Sequence, residues 1–242
     1  MKTATRRTFL RGAAVTTGVV LAAGCAGTAR SASSRGAGAE ADDAGAAGGG
    51  EEDVSPAEDL MREHGLLNRL LLVYEEAAGR LERGDALDVQ AVARGAGIVR
   101  TFVEDYHEKL EETHLFPRFE KAGKLVELVA VLRRQHDAGR LLTDRTTALA
   151  SASTTVERAE LASALRRFIR MYRPHEARED TVLFPAFREL VTSREWDLLG
   201  ERFEEEERAR FGARGFEDMV GRVADLERAL GIDDLAKFTP AV

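Results

Sequence analysis

Cysteine is almost missing from this chain. Cys25 is the single one in 242 residues, so no internal disulfide can staple the fold. Aromatic residues make up only 6% and Leu, Ala, Glu and Arg dominate, which points to helices packed through aliphatic side chains. No stretch supplies the roughly 20 apolar residues that a membrane-spanning helix requires; the weakly apolar run from Gly12 to Ala23 is too short. Basic charge is in deficit, with 35 Lys and Arg against 42 Asp and Glu, a net −7. Leaving aside the six basic and three acidic residues before Glu51, 29 face 39, a net −10. So acidic a surface makes nucleic acid a poor partner. Histidine is scarce as well, with five in all.

The segment from Met1 to Gly24 reads as a targeting signal rather than as structure. Thr5-Arg6-Arg7-Thr8-Phe9-Leu10-Arg11 carries the paired arginines of a twin-arginine export signal. The apolar run behind it ends at Leu21-Ala22-Ala23-Gly24-Cys25, similar to a bacterial lipoprotein cleavage box, although Ala22 stands where such boxes usually have leucine. Lipid attachment is the simplest use for Cys25 and predicts a protein tethered to the outer side of the cytoplasmic membrane. The alternative is an ordinary cleaved signal in which the cysteine is incidental. The twin-arginine route carries proteins already folded, which suits a domain that loads its cofactor before export. Residues 25–53 are rich in Ala, Gly and Ser, cannot bury a core, and read as a flexible tether.

Helical signals begin at Ser55-Pro56-Ala57-Glu58, with serine at the N-cap, proline at the first helical position and glutamate three after the cap. A first helix to about Arg83 carries Leu60, His64, Leu67, Leu71 and Tyr74 at spacings of three and four. Gly84 and Asp85 make a turn, with Asp85 the expected cap of a second helix bearing Val99, Phe102, Val103, His107 and Leu110 and ending at Pro117. A third holds Leu125, Leu128, Val129, Leu132 and His136. Thr154 and Glu157 open a fourth, whose stripe is Leu161, Leu165, Phe168, Tyr172 and His175. No strand-like alternation appears, so the expected fold is all-α: an antiparallel four-helix bundle over 54–191. Residues 192–242 form a helical extension, with a Thr192/Glu195 cap, the run Glu204-Glu205-Glu206-Glu207 as a solvated face, breaks at Gly212 and Gly215, and a last helix from about Phe216 to Leu230.

Within the bundle the chain states one pattern twice. His64 is followed by His107, with Glu111 one turn beyond; His136 is followed at nearly the same interval by His175, with Glu179 one turn beyond. Both halves then reach Leu-Phe-Pro, at Leu115-Phe116-Pro117 and Leu183-Phe184-Pro185, each proline ten residues past its histidine and each an expected helix stop. Residues i and i+4 of a helix lie about 40° apart in rotation and ~6 Å apart in rise, so each His-Glu pair projects from one face. All four histidines sit on apolar stripes, and burying four imidazoles with two carboxylates would cost several kcal/mol per unpaired charged group. Metal ions relieve that cost, since neutral imidazole and carboxylate are both good ligands for iron and a carboxylate can bridge two ions.

Ferritin-like di-iron bundles put glutamate first, as Glu-x-x-His; here histidine precedes the carboxylate. In this order the chain resembles the hemerythrin-like family of HHE domains over about Leu60 to Leu190, most specifically in His107-Glu108-Lys109-Leu110-Glu111-Glu112 and His175-Glu176-Ala177-Arg178-Glu179-Asp180. That resemblance implies two non-haem iron ions inside a four-helix bundle. It makes His64, His107, His136 and His175 terminal ligands and Glu111 and Glu179 bridges, and its partner a small diatomic or peroxide ligand. Asp180, five residues after the last histidine, is the competing carboxylate. Glu179 is preferred because it mirrors Glu111 and shares the helix face of His175, from which Asp180 is turned well away. The oxygen carriers have a further histidine one turn after the helix-three ligand. Arg140 holds that place here, which implies an iron more open to solvent or substrate. His114 reads as a replacement ligand, a proton donor or a cap near Pro117. Tyr106 and Tyr172 read as core residues, with Tyr172 also placed to bond an iron-bound oxygen. The expected function is binding or turnover of O2, peroxide or NO at the cell envelope; the alternative is an iron or oxygen sensor or store that signals through its C-terminal helices. Zinc and manganese suit the same ligands.

Overall fold

The computed structural model describes residues 54–151 and 153–241, which belong to one compact unit. The export signal, the tether and Cys25 lie outside the described residues. Six helices account for most of the unit: α1 (Pro56–Arg83), α2 (89–122), α3 (Val126–Ala148), α4 (155–188), α5 (Ser193–Phe211) and α6 (Gly215–Leu230). A short 3-10 turn follows at Leu235–Phe238, and no strand occurs among the described residues. α1 to α4 close a four-helix bundle in which each helix packs on its chain neighbours and α4 packs back on α1. α6 lies on α1 and α2, and α5 joins α6 and α1, so the extension covers one side of the bundle.

Local signals explain the helix ends. The Ser55 hydroxyl accepts the Glu58 N–H at 3.3 Å with Pro56 at the first position, and full capping boxes form at Thr154/Glu157 and Thr192/Glu195. At the end of α1, Gly84 (φ 75°) donates to the Leu81 carbonyl and Asp85 to that of Arg80 at 2.9 Å, a Schellman closure that needs a left-handed residue. Asp85 therefore finishes α1 and pairs with Arg83 at 2.7 Å; the cap of α2 is Asp88, which accepts the Gln90 N–H at 3.0 Å. Leu125 is not on α3 but precedes it in a left-handed conformation (φ 53°).

The two expected stops at Leu-Phe-Pro are overturned. α2 runs on through Pro117 to Ala122, and α4 through Pro185 to Arg188. A proline inside a helix lacks an N–H and pushes its ring against the preceding turn. Here that turn is a π segment in each helix, Glu111–Leu115 and Glu179–Leu183, closed by the Phe116 N–H on the Glu111 carbonyl and the Phe184 N–H on that of Glu179. The wider turn absorbs one extra residue. The proline then enters the second position of a restarted α segment, where its missing N–H has no partner to lose. α2 has a further nine-residue π stretch at Val99–His107.

Tyr74, Phe102, Tyr106, Phe168 and Tyr172 are fully buried; Phe102 and Tyr106 meet Phe211 of the extension. The acid run of α5 is not a wholly solvated face: Glu207 is 4% exposed, and its Oε1 accepts the Phe216 N–H at 2.7 Å where α6 begins. A helix start needs such an acceptor, which draws this glutamate inward.

Where α3 meets α4, a Cβ on Gly139 would stand 2.0 Å from the Tyr172 hydroxyl, whereas one on Gly221 of α6 would meet nothing within 4 Å. Gly139→Ala is expected to destabilise the fold by about 1–3 kcal/mol through overpacking. Gly221→Ala should stabilise it by roughly 0.5–1 kcal/mol. Urea unfolding midpoints check both, and equal shifts of one sign would contradict the packing at Gly139.

Candidate metal centre

Each bundle helix delivers one buried imidazole to the same level: His64 from α1, His107 from α2, His136 from α3 and His175 from α4. They meet as two pairs. The Nε2 atoms of His64 and His107 are 3.0 Å apart, and those of His136 and His175 are 3.3 Å apart. In both pairs the rings are tilted by 54°. Two nitrogens that each sit ~2.1 Å from one ion, at right angles, lie about 3 Å from each other, so each pair is spaced as two ligands of a common ion would be.

The carboxylates join the pairs. Glu111 Oε2 is 3.8 Å from His107 Nε2 and 3.5 Å from His136 Nε2. Glu179 Oε2 is 3.4 Å from His64 Nε2 and 3.1 Å from His175 Nε2. Each glutamate thus stands between one histidine of each pair, as a bridge between two ions requires. Both are wholly buried, and none of their four oxygens makes an aligned hydrogen bond. Such orphaned buried oxygens are rare, because a lost bond there costs about 1–3 kcal/mol or more for a charged group.

The outer ring nitrogens are all occupied. Nδ1 of His64 donates to Asp180 at 2.7 Å, that of His107 to Glu63 at 2.7 Å, that of His136 to Glu112 at 3.1 Å and that of His175 to Gln135 at 2.9 Å. With its proton on Nδ1, each ring in its neutral form turns an Nε2 lone pair toward the centre. Lone pairs facing each other at 3.0 Å need a cation, or a shared proton, between them. Asp180 is thereby placed behind His64 rather than at the centre, where Glu179 stands. The phenylalanines of the repeated Leu-Phe-Pro cover the rings crosswise: Phe184 stacks on His64 and Phe116 on His136, both at 5.5 Å.

Electrostatics carry the same message. Burial, and then His64, push the His107 imidazole down to about 3. His64 moves the other way: burial opposes its charge, but Asp180 and Glu179 outweigh it and raise its pKa. Burial and neighbouring Glu179 hold the Glu111 carboxyl far above its usual range, while Glu179, despite burial, is lowered by His175 and His64. Without another cation, protons held on Glu111 and His64 offset the buried carboxylates.

The remaining singled-out residues take other posts. Arg140 turns away from the centre and bonds Glu108 and Glu112, each at 2.7 Å. Tyr172 gives its hydroxyl to Glu108 at 2.7 Å, so it is more than core packing. Burial and Glu108 raise its pKa and keep it a donor. His114 joins neither centre nor cap: it faces α5, 3.2 Å from Glu206, with its ring against Phe203. Tyr106 packs between Phe102 and Phe211. Residue-by-residue reading missed Glu63, Gln135, Glu112, Glu108, Asn68 and Glu176. Alignment of the two repeats would have found them, since Glu63 and Gln135 each precede a histidine while Glu112 and Asp180 each follow one by five.

Uncharacterized proteins of Mycobacterium bovis and Mycobacterium tuberculosis are 48% identical over 194 residues, covering 79% of this chain and 76% of each relative. No solved structure matches. The family model described as the hemerythrin HHE cation binding domain matches residues 55–187, a span that holds the whole bundle centre with all four imidazoles and both orphaned carboxylates. The chain belongs to the hemerythrin HHE cation-binding family.

Proposed function

We propose that this is an exported, hemerythrin-like di-iron protein that binds or turns over O2, peroxide or NO at the cell envelope. The observation that carries this reading is the set of four orphaned oxygens of Glu111 and Glu179 between two imidazole pairs. His64 and His107 would hold one ion, His136 and His175 the other, and the two glutamates would bridge them. Two reduced irons held there would supply electron density for binding O2, peroxide or NO.

The chain's own residues do the rest. Asp180, Glu63, Glu112 and Gln135 fix the tautomer and orientation of the four rings. Phe116 and Phe184 shield two of those rings from water. Arg140 supports the open position: in the place of a fifth histidine stands a side chain tied down by Glu108 and Glu112, so it competes with no incoming ligand.

Elemental analysis of the purified protein should find two irons per chain, with Mössbauer spectra of the anaerobically reduced form showing high-spin ferrous sites. His107→Ala should lose at least one of them without unfolding; absence of iron, or full retention in that variant, would remove the reading. Because His64, His136 and Glu111 all have raised pKa values, loading must displace protons. Apparent affinity should therefore climb as pH rises above about 6.5, the ordinary value for histidine.

Export and anchoring rest on the arginine pair Arg6-Arg7 and on Cys25. Cys25→Ser should shift the exported protein from the membrane fraction to the soluble fraction; an unchanged distribution would argue for a plain cleaved signal.

A further inference from the structure

The two halves of the centre are built alike but charged differently. Each imidazole pair has three matching supports. Glu63 and Gln135 take the Nδ1 proton of the α2 and α4 histidines. Asp180 and Glu112 take that of the α1 and α3 histidines. Asn68 and Arg140, one turn after His64 and His136, each bond a buried glutamate, Glu176 and Glu108 respectively. At two of these three places the charge differs. A carboxylate at Glu63 stands where Gln135 offers only an amide, and neutral Asn68 stands where Arg140 brings a full positive charge. The third place leans the same way, for Glu112 shares its charge among His136, Arg140 and Lys109 at 3.1, 2.7 and 2.5 Å. Asp180 holds His64 at 2.7 Å and has no cation beside it among the described residues. Behind Glu63 lie two more buried carboxylates, Asp59 and Glu207, with Arg62 3.7 Å from Asp59.

Resting on the di-metal reading above, we propose that the two positions are unequal: the His64/His107 position binds its ion tightly and fills first, and the His136/His175 position holds the exchangeable ion. A carboxylate that accepts the Nδ1 proton pushes electron density through the ring onto Nε2, which makes it a stronger donor; an amide oxygen pushes less. Arg140 cancels part of the negative charge of Glu108 and Glu112 and so leaves less to attract a cation at the His136 side. The imbalance survives whether Glu176 carries a charge or, as its burial favours, a proton, because Glu63 against Gln135 and Asn68 against Arg140 do not depend on it.

Cobalt(II) titration of the metal-free full chain, followed through its ligand-field bands, tests this without any assay of activity. Wild type should take two ions in two steps, the first about ten-fold tighter or more. Glu63→Gln should weaken the first step by about 10–100-fold, the usual effect of losing a carboxylate behind a metal-bound histidine, while the second step stays in place. Gln135→Glu should tighten the second step and narrow the gap, and it carries the test if Glu63→Gln fails to fold by circular dichroism. Two steps of equal affinity in wild type, or a gap that Gln135→Glu leaves unchanged, would overturn the assignment. Absence of any stoichiometric cobalt in wild type would instead overturn the di-metal reading, and the inequality with it.

Discussion

Negative charge and lone pairs concentrated in a dry interior are the constraint on which this molecule is built. Four Nε2 atoms converge with four carboxylate oxygens that make no aligned hydrogen bond. In an apolar bundle that arrangement is costly unless positive charge enters. The supporting shell engages every Nδ1 from outside, so that only protons held on groups such as His64 and Glu111, or metal cations, can offset the charge at the centre. The shell is therefore not incidental packing. It makes the centre hungry for cations, and membership in a cation-binding family agrees with that physical reading.

The helices are shaped to the same end. Glu111 and Glu179 each open a π turn, and in both cases the turn's closing bond falls on the glutamate's own carbonyl. Widening the helix there re-aims the carboxylate toward the bundle axis and makes room for the proline that follows. The phenylalanine between turn and proline then reaches across to cover the other repeat's histidine. Leu-Phe-Pro, which looks like punctuation in the chain, is a device that couples the halves of the centre. The extension contributes from outside: Glu207 caps α6 beside Glu63, the residue that steadies His107.

Bundle and centre were legible in the sequence because they rest on short-range regularities. Apolar residues at three- and four-residue spacing located all four bundle helices, and the duplicated His-Glu spacing found the six residues that meet at the centre. The misreadings came where neighbours in space override neighbours in sequence. Pro117 and Pro185 signal a stop only for a regular α-helix; a π turn cancels the clash, and no local propensity announces it. Asp85 and Asp88 are both fit to cap α2, and the Schellman closure of α1 decided between them. Glu207 reads as solvated until α6 folds back and presents an N–H to it. Arg140 reads correctly as the residue in a further histidine's place, but its bonds to Glu108 and Glu112 depend on helices meeting.

The central claim is that cations stabilise this interior, and thermal unfolding of metal-stripped against iron-loaded protein tests that most directly. Loading at about a hundred times Kd should contribute ~2.7 kcal/mol and raise Tm by roughly 5–10 °C for a domain of this size, with chelator reversing the gain. Replacement of the four centre histidines by leucine should leave the stripped protein as stable as before or more so. Identical melting with and without metal, together with loss of stability on that replacement, would mean that the imidazoles are ordinary core residues and would contradict the account.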